Sequence, residues 1–150
     1  VMPRANLLEM NSSAWDETFN LNLRAPWLCS KQAAQIMKAG NGNIINVTDA
    51  GAGRAWTSFA AYAISKSALE TLTRLLARTL APGIRVNGIA PGLIFPSPDM
   101  TRVEWDRLVE RLPLQQAGQP QNIAQAVEYV LTNSHVTGQI LVVDGGYQLI

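Results

Sequence analysis

YAISKSALETLTRLLARTLAPGIRVNGIAPGLI occupies residues 62–94. From about Phe59 to Leu80 apolar residues recur at helical spacing, with Ile64, Ala68, Leu72, Leu75 and Leu76 on one side. Pro82 and Gly83 stop that helix. IRVNGIA (84–90), ended at once by Pro91 and Gly92, reads as a strand. The order is helix, breaker, strand.

The same alternation extends in both directions. NIINV (43–47) is a short apolar, β-branched run typical of a buried parallel strand, and QILVVD (139–144), closed by Gly145 and Gly146, is the last strand. Residues 12–38 have the pattern of one long helix, with Ser13 as cap and Asp16 and Glu17 in the first turn, where the helix dipole favours anions. Pro26 should kink it, and Gly40 and Gly42 should end it. Residues 102–112 and 121–131 are shorter amphipathic helices, the second entered through Pro120. Strands alternating with helices predict an α/β fold with a parallel sheet. No internal repeat or interdomain linker interrupts the pattern, so the 150 residues read as part of one domain.

Composition excludes several function classes. A 47% hydrophobic, 15% charged chain has enough apolar surface for a core, so disorder is not expected. Twelve basic against eleven acidic residues, with no basic run, offer nothing to nucleic acid or an anionic membrane. Cys29 has no second cysteine to pair with and reads as a core residue. No apolar run approaches the roughly 20 residues of a membrane span, and the expected location is the cytoplasm. No His, Cys and carboxylate cluster has metal-ligand spacing, and His135 reads as a surface turn residue.

The chemistry-bearing residues flank the long helix. Tyr62 and Lys66 stand four apart and share a helical face. An ammonium near a phenol stabilises phenolate and lowers its pKa from about 10, which suits a general acid or base. Asp49 lies thirteen residues before the tyrosine, at a strand-to-loop junction where an Asx-turn is the ordinary alternative. Thr48, one residue earlier, should point to the other side of the strand.

Taken together, FNLNLRAPW, the Tyr62 to Lys66 pair, IRVNGIAPGLI and VTGQILVVDGG resemble, in order, the second half of the short-chain dehydrogenase/reductase family. The resemblance covers essentially the whole chain. It implies a Rossmann-like, doubly wound parallel sheet. It also implies that Tyr62 passes a proton to a substrate reduced by a nicotinamide, that Lys66 holds the nicotinamide ribose, and that Asn22 holds a water in the proton relay. The backbone of Pro91, Gly92, Leu93 and Ile94 would face the carboxamide. Residues 93–101 and the following helix, with Met100 and Trp105, match the region that closes over substrate. The alanine-rich helices match those of the family's dimer interface, which implies a homo-oligomer, dimer or tetramer.

Asp49 departs from the pattern, because the family usually places serine there. An ionised carboxylate has no proton to give a developing alkoxide and would repel it. It suits a substrate that presents N–H donors, as a pterin does. The pteridine reductase branch, dihydromonapterin reductases included, resembles this chain in having Asp, Tyr and Lys at this spacing. That branch implies NADPH and reduction of a pterin C=N bond. The alternatives are a 3-oxoacyl-thioester or other ketone reductase of the same family, and a non-catalytic remnant that oligomerises. Trp56 and Phe59 either stack on a flat ring or pack their loop, and Arg54 reads as a solvated loop residue. The family's Gly-rich phosphate loop and its Asn-Asn-Ala-Gly segment find no match here. The expectation is therefore that the N-terminal third of the domain, with the residues that choose NADP over NAD, is missing, and that this piece alone is inactive and binds cofactor poorly. Such a piece would also present an open sheet edge and an uncovered apolar face.

Overall fold

The structure, a computed structural model, describes residues 2–37 and 40–150. Three strands, β1 (Gly42–Val47), β2 (Ile84–Pro91) and β3 (Ile140–Val143), form a parallel sheet in the order β1-β2-β3. Gly42 pairs with Ile84 through to Val47 with Ile89, and Gly88 with Ile140 through to Pro91 with Val143. β2 is central, and all but Arg85 and Pro91 of its residues are buried, as a parallel strand covered on both faces requires.

Helices cover both faces. α1 (Ser12–Phe19), a π-helical turn (Asn20–Arg24), α2 (Ala25–Ile36) and α3 (Ala60–Leu80) lie on one side; α5 (Pro120–Thr132) lies on the other. Strand alternation divides the core accordingly. Ile84 and Val86 pack with Ala77, Leu76 and Leu80 of α3, while Ile89 packs with Ala126 and Val130 of α5. The architecture is α/β and Rossmann-like. α4 (Arg102–Glu110) follows β2 and is started by a full capping box, Thr101 with Glu104.

Several local expectations change. The predicted helix over 12–38 is not continuous: the π-helical turn separates α1 from α2 just before Pro26. A proline ring supplies no N–H toward the carbonyl four residues back, and a widened turn relieves the clash. The expected last residue, Lys38, lies outside the described residues, and α2 ends at Ile36. Asn11, not Ser13, caps α1, accepting from the Ala14 N–H at 2.8 Å. Asp16 and Glu17 therefore fall beyond the first turn. Gly42 starts β1 rather than ending a helix, and the helix predicted to run to 112 stops at Glu110. Cys29 is exposed, because the alanine-rich side of α2 faces inward instead.

The apolar side of α3 also divides. Leu69, Thr73 and Ala77 face the sheet, whereas Ala68, Leu72 and Leu75 face outward into a groove shared with Phe19, Leu23 and Trp27. No helix among the described residues is long and apolar enough to cross a membrane.

Candidate active site

Parallel strands send their carboxyl ends to one edge of the sheet, and open α/β sheets bind ligands there. The segments after β1, β2 and β3 meet at that edge. Ala50 N–H donates to Pro91 O at 3.0 Å, and Gly92 N–H donates to Val143 O at 2.9 Å. Gly92 is required by proximity: a Cβ there would lie 2.6 Å from the Asp144 Cα. Gly51 meets the same constraint from the Trp56 indole, which sits where its Cβ would be.

Asp49 follows β1 and Tyr62 opens the first turn of α3. The phenol O–H donates to Asp49 Oδ2 at 2.6 Å. The other carboxylate oxygen accepts the Gly51 N–H at 2.6 Å, which is the Asx-turn expected at such a junction. Asp49 thus does both: one oxygen orients the carboxylate and the other holds the phenol. Thr48 is buried and its hydroxyl donates to Ile89 O, away from Tyr62, as strand alternation predicts.

Lys66, one turn after Tyr62, donates from Nζ to Val47 O at 2.9 Å and lies 5.8 Å from the centre of the Tyr62 ring. Asn22 sits in the π-helical turn, nearly buried, and donates to Ser65 Oγ at 3.1 Å; Ser65 in turn donates to Tyr62 O at 2.7 Å. The four predicted site residues are therefore brought together, with Asn22 linked through Ser65 to the Tyr62 backbone. Ser65, the link, carried no signal in the sequence beyond its place between Tyr62 and Lys66.

The electrostatics reverse one expectation. Burial first, and then the charge and hydrogen bond of Asp49, raise the Tyr62 phenol far above its ordinary value. Lys66 does not lower it, because the carboxylate is in contact with the hydroxyl and the ammonium is not. Burial also lowers the Lys66 pKa, and the Asp49 charge partly offsets that. The phenol is held as a proton donor.

Beside the pair opens a cleft of about 550 Å³, lined by Asp49, Trp56, Phe59, Met100, Trp105 and Tyr147 among others. Both aromatics of the post-β1 loop reach it. They also pack locally, with Trp56 edge-on to Phe59 at 6.3 Å. Pro91, Gly92 and Leu93 line the cleft as well. The Leu93 carbonyl already accepts the Gly118 N–H at 2.8 Å. Arg54 is half-buried and not simply a solvated loop residue: it holds the backbone of Tyr147 and Ile150. Tyr147 is a site residue that sequence reasoning missed; its only signal was an aromatic directly after the Gly145-Gly146 pair that closes β3. His135 is exposed and is not among the residues that line the cleft.

Comparison with known proteins shows the family. The family model described as Enoyl-(Acyl carrier protein) reductase matches residues 1–148. Human Dehydrogenase/reductase SDR family member 4 is 34% identical over 151 residues, covering 94% of this chain and 54% of the human protein. The 3-oxoacyl-[acyl-carrier-protein] reductase of Synechocystis is 33% identical over 146 residues, covering 93% of this chain and 58% of its own. Among solved structures, FolM Alternative dihydrofolate reductase 1 from Brucella suis, in complex with NADP, superimposes with a TM-score of 0.95 at 32% identity. That match covers all of this chain and 61% of the Brucella chain. The chain thus spans little more than half the length of the curated relatives it matches. It belongs to the short-chain dehydrogenase/reductase family.

Proposed function

We propose that these residues are the C-terminal part of a single short-chain reductase domain that reduces a pteridine C=N bond with NADPH. The observation that carries this reading is the 2.6 Å contact between Tyr62 and Asp49, a carboxylate where the family usually has serine. Likeness to the Brucella reductase solved with NADP supports both the substrate class and the cofactor.

The donor set fits a nicotinamide cofactor. The Lys66 ammonium has three donors, of which Val47 O takes one, leaving two for the vicinal hydroxyls of a ribose. The backbone of Pro91, Gly92, Leu93 and Ile94 stands at the strand end where the carboxamide would be held. When bound, NADPH supplies a hydride to the substrate carbon.

The chain's own groups supply the rest. Asp49, oriented by the Gly51 N–H, accepts N–H groups from the edge of the pterin. As the substrate occupies Asp49, the Tyr62 O–H turns to the ring nitrogen and gives it a proton. Hydride at carbon and proton at nitrogen convert C=N to CH–NH, and the Tyr62 proton is restored from solvent through the relay in which Asn22 takes part. The aromatic lining of the cleft gives a flat ring apolar surface on which to lie.

Likeness to the Synechocystis 3-oxoacyl reductase favours a second reading, reduction of a ketone on a thioester. The deciding experiment follows NADPH oxidation by the whole protein with dihydrobiopterin and, in parallel, with an acetoacetyl thioester. Turnover of the pterin and not the thioester is expected. Turnover of the thioester alone overturns the pterin reading.

A further inference from the structure

The segment after β3 is fastened to the loop after β1. Asp144 accepts the N–H groups of Gly146 at 2.8 Å and Gln148 at 2.9 Å, turning the chain into a single 3-10 turn over Tyr147–Leu149. Gly146 has φ +89°, where a side chain is strained. From this turn the Gln148 amide reaches back to Ala50 O at 3.0 Å. Arg54 closes the arrangement from the other side. One guanidinium nitrogen donates to Tyr147 O at 3.1 Å, another donates to Ile150 O, and the group lies 4.7 Å from the centre of the Tyr147 ring. Tyr147 is set 6.1 Å from Trp56, and both face the cleft that contains Asp49.

We propose that Arg54 is a positioning residue for substrate: it clasps residues 144–150 to the loop that carries Asp49, and so sets the Tyr147 ring as a wall of the cleft. Arginine suits this task, because its planar fork serves two carbonyls while its face stacks on the ring. Substrate of either kind then meets the Tyr147 and Trp56 side of a cleft that Met100 and Trp105 also line. The inference rests on reading this cleft as the substrate site, not on which of the two substrates it takes.

The test uses Arg54→Ala, Arg54→Lys, Tyr147→Ala and the double variant of Arg54→Ala with Tyr147→Ala, all in the whole protein. The substrate is whichever the unaltered protein reduces. Arg54→Ala should raise KM about tenfold and leave kcat within about twofold, the pattern of lost binding shared by ground and transition states. Arg54→Lys keeps the charge without the fork and should recover only part of the KM. Tyr147→Ala should raise KM similarly, and the double variant should cost no more than either change alone, because both act through one wall. Backbone hydrogen exchange should rise together in residues 49–58 and 144–150 of Arg54→Ala. An unchanged KM, additive effects or unchanged exchange in the 144–150 segment would overturn the proposal. Exclusive turnover of the thioester would sink the pterin reading while leaving this comparison intact.

Discussion

The Tyr62 O–H donates to Asp49 across 2.6 Å, and the consequence can be read as a titration. The folded phenol lies above its ordinary value of about 10, through burial first and the carboxylate second. The stability that this protonated phenol contributes is therefore fully present below pH about 10 and is lost as pH rises toward the folded value. Asp49→Asn removes the carboxylate charge but not the burial, so the phenol should fall part of the way back. Phenolate absorbance, taken as a difference against Tyr62→Phe, should show the transition at lower pH, with the alkaline limb of turnover moving the same way. An unmoved transition would mean that Asp49 does not control the phenol. Asp49→Ser should lose pterin reduction by about 10²- to 10⁴-fold, the usual range for a lost acid–base partner; undiminished turnover would remove Asp49 from the chemistry. The spacing of Asp49, Tyr62 and Lys66 was legible in the sequence because helical and strand periodicities place such residues reliably. The direction of the phenol shift was not, because it depends on which charge touches the hydroxyl.

At the scale of elements, the helix-to-strand passage from Ala60 to Pro91 was the most legible part of the chain. Its amphipathic period and its two breakers agree with each other and with the structure. The break between α1 and α2 was legible only as a kink at Pro26, since a π-helical turn has no sequence period of its own. The caps were less legible: Asn11 and Ser13 are both good caps, and tertiary packing chose the first. Between α3 and β1 stands a buried polar link, Asn46 Nδ2 donating to Thr73 Oγ1 at 2.9 Å, with Thr73 donating to Leu69 O at 2.8 Å. Thr73→Val keeps the shape and strands the Asn46 amide. It should cost about 1–3 kcal/mol, read as a lower denaturant midpoint at unchanged slope. A midpoint within error of the original would show that water replaces the link.

Across the whole molecule, the outward side of α3 is the feature least explained by the sheet it covers. Leu75 is 60% exposed and Trp27 43% exposed, on either side of an apolar groove of about 670 Å³. Such a face is costly to leave in water, and the occupant we propose, on the family resemblance, is the same face of a second copy. Leu75→Glu should shift the whole protein toward monomer in sedimentation velocity, with little change in far-ultraviolet circular dichroism. A wild-type protein that is already monomeric would refute the homo-oligomer. The sequence showed the alanines and leucines of this stripe but not their direction, because a helix with apolar residues on two sides has no single inward face.

The two fastenings of the candidate site differ in how much chain each encloses. The Tyr62 to Asp49 bond closes a loop of 13 residues, whereas the Arg54 to Tyr147 bond closes one of 93. By chain-closure entropy the longer loop costs about 1.7 kcal/mol more to bring together. The proton-handling pair is thus cheap to assemble and the wall that frames the substrate is dear. On warming, the 144–150 segment, held by one short 3-10 turn and a few side-chain hydrogen bonds, should come loose first, so that KM climbs while the phenol still titrates as in the cold. The molecule would lose its grip on substrate before it loses its acid.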